Sequence, residues 1–309
     1  MLTLPATKWT KRARVGLLGQ KDSQATGVLP GRCGEETPES LGPQKYRVRQ
    51  KTSNVQPLSF QDELWVTGVA RNVERHLPAV LANFDRLSAM YPNIHFSLYE
   101  NDSEDDTRFL MQEWSGLKPN VMLFAEEGIA ERIPDRVDRI CYARNIALSR
   151  VNFNSAKMIL NVDMDEVFSR PLEASSFVSA MNTLTECDVV TANSYGGYYD
   201  IYALRIPKIL EYDCWDFYYH LVRDGGWSPE AATWEAVEQW KDYMPTIEKP
   251  IEVLSAFNAA AIYRADAFSG SLKYKTSDAL GAKICEHVGL HEQMRGNGKR
   301  IVFDPSFRV

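Results

Sequence analysis

"MILNVDMDEVF" (residues 158–168) decides how this chain is read. Met158, Ile159, Leu160 and Val162 form an apolar run of strand length, and Asp163, Asp165 and Glu166 follow within four residues. Carboxylates set this close repel one another, so either water screens them or a cation sits among them. Asp163 and Asp165 lie one residue apart where the strand ends. A chain leaving its strand there lets both reach one hard cation such as Mg2+ or Mn2+, which prefers carboxylate oxygen. The plain alternative is a solvated turn in front of the next helix.

Working outward, strands alternate with helices on both sides of this stretch. "LWVTGVA" (64–70), "IHFSLYE" (94–100), "VMLFAEE" (121–127), "KMILNVDMD" (157–165) and "CDVVTANSY" (187–195) read as strands. Between them, "NVERHLPAVLANFDRLSAMYP" has Leu77, Val80, Leu81, Phe84 and Leu87 at helical spacing with Asn72 as its cap, and "SEDDTRFLMQEWSG" reads as a helix capped by Ser103. Helices are also expected at 136–151 and 171–184. This alternation predicts βαβ units and a mostly parallel α/β sheet flanked by helices. After 195 the pattern loosens: a strand at 198–205, an aromatic irregular stretch with a helix at 229–242, a strand or hairpin at 253–268 and a closing strand at 299–307. One domain is expected over 61–309, nucleotide-binding-like in its first half (61–166) and substrate-specific in its second (167–309). Residues 1–60, rich in Gly, Pro, Ser and basic groups, read as a disordered or loosely ordered extension.

The totals set the class. The 309 residues are 44% hydrophobic and 25% charged, ordinary for a soluble protein. The formal charge of −6 is uneven: residues 1–60 carry 10 Lys/Arg against 4 Asp/Glu, and residues 61–309 carry 25 against 37. An acidic body argues against a nucleic-acid partner. Five cysteines, odd in number and without a CxxC pair, read as reduced thiols of a cytoplasmic protein, free in solution or peripheral to a membrane. No transmembrane segment and no secretory signal are expected.

In an open α/β sheet, ligands bind beyond the carboxyl ends of the strands. Three such ends are polar: "VARN" (69–72), "YENDSEDD" (99–106) and "DMDE" (163–166). At this point the chain resembles the GT-A glycosyltransferases, whose D-x-D ends a central strand after a nucleotide-binding half. More narrowly it looks like the fungal capsule-associated α-1,3-mannosyltransferase family. The matching pieces are "LYENDSEDDT" (98–107), "RICYARNIAL" (139–148), "YYDIYALR" (198–205), "SAFNAAAIYRADAF" (255–268) and "CEHVGLHEQMR" (285–295). That family often lacks a clean D-x-D at this strand, which leaves the donor sugar open.

The resemblance implies a GT-A fold, a UDP- or GDP-linked sugar donor, a carbohydrate acceptor and Mn2+ or Mg2+. It implies that Val69, Ala70 and Arg71 line the nucleotide, that Glu100 bonds its base or ribose, and that Asp105 borders the same pocket. Arg144 and Asn145 would meet the diphosphate or sugar. Asp163, Asp165 and His291 would hold the metal, Asp163 also meeting the donor. Asp165 is placed among the catalytic residues with Glu286, which would orient the acceptor hydroxyl or act as base. A carboxylate base suits inversion, whereas the mannosyltransferase family implies retention, so stereochemistry stays open. The aromatic stretch 195–227 is read as an acceptor wall or as core, and the glycine pairs at 196–197 and 225–226 as loop hinges.

Two other classes fit parts of the pattern. A haloacid-dehalogenase-type phosphatase also carries D-x-D after an apolar strand, with Asp163 as nucleophile and Asp165 as general acid. Its motif opens the domain, whereas here three βα units come first, and a GDxxxD acidic pair is missing. A nucleotidyltransferase would need a glycine-rich loop where "VARNVERHLP" has none. A non-catalytic binding module of glycosyltransferase type is the remaining alternative.

Overall fold

The computed structural model describes residues 57–116, 118–268 and 272–309. The expectation for the N-terminal extension lies, up to residue 56, outside them. The strands are β1 (Leu64–Ala70), β2 (Ile94–Asn101), β3 (Val121–Glu126), β4 (Met158–Asp163), β5 (Val189–Asn193), β6 (Ile251–Val253), β7 (Ala260–Arg264) and β8 (Ile301–Arg308). They form one sheet in the order β3-β2-β1-β4-β7-β5-β8-β6. The neighbours β3-β2-β1-β4 and the pair β5-β8 are parallel, as the alternation predicts. β7 is antiparallel to β4 and β5, and β6 to β8, so the predicted parallel sheet carries an inserted and an edge strand of opposite direction.

The helices are α1 (Leu77–Met90), α2 (Thr107–Ser115), α3 (Ile129–Arg132), α4 (Arg136–Leu148), α5 (Ala174–Thr183), α6 (Cys214–Arg223), α7 (Pro229–Thr233), α8 (Gln239–Tyr243) and α9 (Glu286–Gly296). A π turn at Trp234–Glu238 joins α7 to α8, so the expected helix at 229–242 is present but distorted in its middle. No helix among the described residues is long and apolar enough to cross a membrane. The segment 198–205 is not a strand: it makes turns and one isolated bridge, Arg205 to Ser255. Of the strand or hairpin expected at 253–268, the strand is present as β7, which pairs with β4 and β5, and only the last residue of β6 falls within those bounds.

Period-two alternation explains what each face of the sheet carries. Met158, Leu160 and Val162 of β4 enter one apolar layer with Leu77, Val80, Phe84 and Leu87 of α1. Each fully buried side chain of this kind contributes about 1.5–3 kcal/mol. Ile159 enters the opposite layer, beside Leu148 of α4 and Val288 of α9. By the same alternation Asn161 and Asp163 face α4. Met164 turns back into the first layer, so tightly under Gly68 that a Cβ there would meet its sulfur at 2.7 Å. The chain between the two aspartates is thus anchored from beneath, and the Asp163 carboxylate is on the α4 side.

The helix starts differ from the expected caps. α1 begins at Leu77 and α2 at Thr107, several residues after Asn72 and Ser103. Asn72 and Asp102 take positive φ of 53° and 52°, a conformation that short polar side chains tolerate. Their loops are laced together. Asn72 Oδ1 accepts from the Glu104 amide at 2.8 Å, and Ser103 Oγ accepts from the Asn72 amide at 3.1 Å. Asp102 takes the Ile129 and Ala130 amides at the start of α3. Three strand ends are in this way tied into one rim.

Candidate functional site

Asp163 closes β4 beside Val69 of β1. Its Oδ1 accepts from Arg144 Nη2 at 2.8 Å and its Oδ2 from the Tyr199 hydroxyl at 2.7 Å. Arg144, 4% exposed, also donates to Asn161 Oδ1 at 2.6 Å and to Glu286 Oε1 at 3.2 Å. Asn161 passes the contact on to Thr67 Oγ1 of β1 at 2.8 Å. A single guanidinium therefore ties β4, β1 and the first residue of α9 into one network. Its planar fork suits three acceptors at once. Burial lowers its proton affinity, but the charges of Asp163 and Glu286 outweigh that and hold its pKa above the ordinary value.

Two further acids crowd this network. Asp165 is pushed up to about 6, first by the protein around it and then by the charge of Asp163, although the residue stays exposed. Asp200, half-buried, is pushed up to about 7 by burial and then by Asp163 and Glu286. One arginine faces four carboxylates, and the excess negative charge is what a divalent cation would offset. Among the described residues no three His, Cys, Asp or Glu side chains converge as a metal cage. The donor set would nevertheless suit a hard cation held by Asp163 and Asp165, each with lone pairs to spare.

Asp200 gives a prediction. Its folded pKa lies above the ordinary carboxylate value, so the folded state binds more protons than the unfolded chain between about pH 4 and pH 7. Stability is then greatest at the acid end and falls as pH rises through that window, by at most about 1.4 kcal/mol per pH unit for one group. Asp200→Asn is expected to flatten this decline and to be more stable than the parent protein at pH 8. Urea unfolding in EDTA at pH 5 and pH 8 checks it.

Other expected site residues are placed differently. His291 does not reach the acids. It is fully buried, Nδ1 bonded with Ser255 Oγ at 2.9 Å and Nε2 with the Tyr263 hydroxyl at 3.1 Å, and burial with Arg295 nearby presses it down to about 3. α9 presents its first residue, Glu286, to the network, and five residues on His291 points into the core. Glu100 is also fully buried; its oxygens take the Ser103 amide at 2.9 Å and Arg108 Nε, so it ties the rim and has no face open to a nucleotide. Asp105 accepts from the Glu74 and Thr107 amides, again joining the loops after β1 and β2. Asn145 clamps the Tyr274 backbone with both ends of its amide, each at 2.9 Å. Arg144 is enclosed by protein, with its guanidinium bonded to Asp163, Asn161 and Glu286. Val69 and Arg71 remain partly open at the rim, with Ala70 buried between them.

Tyr199, Asp200, Asn161 and Asn258 belong to this site; the sequence reading covered Tyr199 and Asp200 only as part of the aromatic stretch 195–227 and assigned Asn161 and Asn258 no role. A signal existed for Asn161, a lone amide inside the apolar run of β4. Tyr199 and Asp200 lie in "YYDIYALR", where a strand was expected. Asn258 and Ala259 precede β7 with φ of 59° and 79°. Two consecutive non-glycine residues in the left-handed region are strained. The Ala259 carbonyl accepts from the Asp163 amide at 2.9 Å, which sets this strain directly against the acid. The aromatic stretch 195–227 is divided: Tyr198 and Phe217 are buried, whereas Trp215 and Tyr219 are exposed.

No family model and no curated protein matches the sequence. Similar solved structures include the mannosyltransferase PcManGT from Pyrobaculum calidifontis in complex with GDP-Man and Mn2+, 14% identical, with 84% of this chain on 59% of that one and a TM-score of 0.45. Residues 1–349 of TarS from S. aureus are 13% identical, with 78% of this chain on 57% of that one and a TM-score of 0.42. GalNAc-T7 with UDP, GalNAc and Mn2+ is 13% identical, with 80% on 43% and a TM-score of 0.43. This chain spans less than two thirds of the length of each of these proteins.

Proposed function

We propose that the protein is a metal-dependent glycosyltransferase that moves a sugar from a nucleoside-diphosphate sugar to a carbohydrate hydroxyl. The observation that carries this reading is the edge where β1, β2 and β4 end side by side, with Asp163 at the tip of β4 and Asp165 two residues beyond it. Strand ends of a parallel sheet are where such ligands bind. Asp163 and Asp165 hold the cation, which supplies neutralising charge for the departing nucleoside diphosphate. Arg144 fixes Asp163 and Glu286 relative to one another. Val69 and Arg71 line the rim on the nucleotide side. Glu286 faces the acceptor side, where its carboxylate orients the incoming hydroxyl or takes its proton. UDP or GDP as the carrier, and Mn2+ or Mg2+ as the ion, remain part of the same proposal.

The test is donor turnover. The protein is incubated with a panel of UDP- and GDP-sugars, with Mn2+ or with EDTA, and released nucleoside diphosphate is measured. Release from one carrier class that EDTA abolishes is the expected result and names the donor. Metal-dependent cleavage of p-nitrophenyl phosphate, without release from any nucleotide sugar, would replace this reading with the phosphatase.

A further inference from the structure

Asp163 has two oxygens, and only one of them can be vacated. Oδ1 is held by Arg144, which is itself enclosed and bonded to Asn161 and Glu286. Oδ2 is held by the Tyr199 hydroxyl, on a side chain 37% exposed at the protein surface. The Tyr199 backbone is pinned, since its amide donates to Asn258 Oδ1 at 2.9 Å, so its ring can turn without moving the chain. Just before it, Gly196 and Gly197 have open space around them, with Gly197 at φ +99°. Beneath, Asn258 is fully buried, and its Nδ2 has no hydrogen-bond partner. A buried donor without an acceptor is costly and calls for an explanation. That donor belongs to the same amide group that holds the Tyr199 backbone.

We propose that Tyr199 is a latch on this site: its phenol occupies the Asp163 oxygen that a cation carrying a nucleoside diphosphate takes, and binding turns the ring out. Turning it out also uncovers the Asn258 carboxamide, whose Nδ2 then donates to an oxygen of the bound ligand. The ligand class rests on the function proposed above; the latch itself rests on the two bonds of Asp163 and on the orphaned amide. Tyr199 is thus a positioning residue that competes with the ligand while the site is empty and shapes the site once it is full. The strained turn at Asn258–Ala259 keeps that amide in place for either state.

Calorimetric titration of the full chain with UDP and with GDP, at one fixed Mn2+ concentration, tests this. Tyr199→Phe keeps the ring and removes the competing hydroxyl, and is expected to tighten nucleotide binding about tenfold, the equivalent of one hydrogen bond to a charged group. Asn258→Asp keeps the acceptor for the Tyr199 amide but replaces the donor Nδ2, and is expected to weaken binding by a similar factor. Thermal melts of both variants confirm that they are folded. Unchanged or weaker binding by Tyr199→Phe would overturn the latch and leave Tyr199 as a support for Asp163. Absence of heat for both nucleotides in the parent and in both variants would overturn the metal–nucleotide reading along with it, and the parent protein's behaviour tells the two failures apart.

Discussion

Replacing Arg144 by methionine is expected to destabilise the protein by about 3–5 kcal/mol, measured by urea unfolding. Methionine restores much of the volume but none of the charge. Asp163 and buried Glu286 are then left without the cation that joined them, and Asn161 Oδ1 loses its donor. Removing one member of a buried charged network costs far more than removing a surface pair, because the partners stay buried without compensation. Lysine is not expected to rescue the loss: its ammonium is a single point of charge and cannot span three acceptors on β4 and α9. The double variant Arg144→Met with Glu286→Gln should recover part of the stability, since one of the stranded charges is gone. Strict additivity of the two substitutions would show that the residues do not interact and would refute the network.

The second large effect concerns chemistry rather than stability. Asp163→Asn is expected to lower metal-dependent nucleoside diphosphate release about 10³-fold, equivalent to about 4 kcal/mol of transition-state stabilisation. The amide is nearly isosteric, and its oxygen still accepts from Arg144, so the melting temperature should move by only a few degrees. Chelation supplies the diagnostic. If the carboxylate acts by holding the cation, EDTA should cost the variant little beyond what the substitution has already cost, because both remove one and the same contribution. A variant that retains parental turnover in Mn2+ would remove Asp163 from the metal site.

The elements in the first half of the sheet were legible because each carries its own local signal. β1 spans 64–70 as read, and β3 and β4 differ from their expected bounds by one or two residues. The apolar runs of β1 and β4, buried on both faces, announce themselves without knowledge of their neighbours. The second half was harder, because β6 has three residues and β7 five, and each pairs with a strand distant in sequence. Nothing local distinguishes such pieces from a hairpin. The acids were legible for the same reason as the strands: Asp163 and Asp165 follow directly from the end of a recognisable element. His291 misled because two histidines beside two acids resemble a ligand set, and only the helical phase of α9 shows which of the four faces the network. Glu100 misled in the opposite sense, since a polar strand end looks open until its loop folds back over it. Tyr199 was legible only as one residue of the aromatic stretch, because its contact with Asp163 depends on a turn that brings residue 199 against residue 163.

The antiparallel β7 has a consequence for how the molecule is assembled. β4 borders β1 on one side and β7 on the other, and 96 residues separate Asp163 from Ala260. During synthesis the β1–β4 half can pair as soon as it emerges, but the outer edge of β4 stays open until β7 arrives. An apolar strand with an unpaired edge is a template for association with other chains. Closing so long a segment is also slow, because its entropy is spent before the pairing repays it. The acidic corner is therefore finished late, when the strained turn ahead of β7 seats the Ala259 carbonyl on the Asp163 amide. A nascent chain halted between these two segments would display its most aggregation-prone surface and its unfinished charges together, and this is the interval in which a chaperone would have most to do.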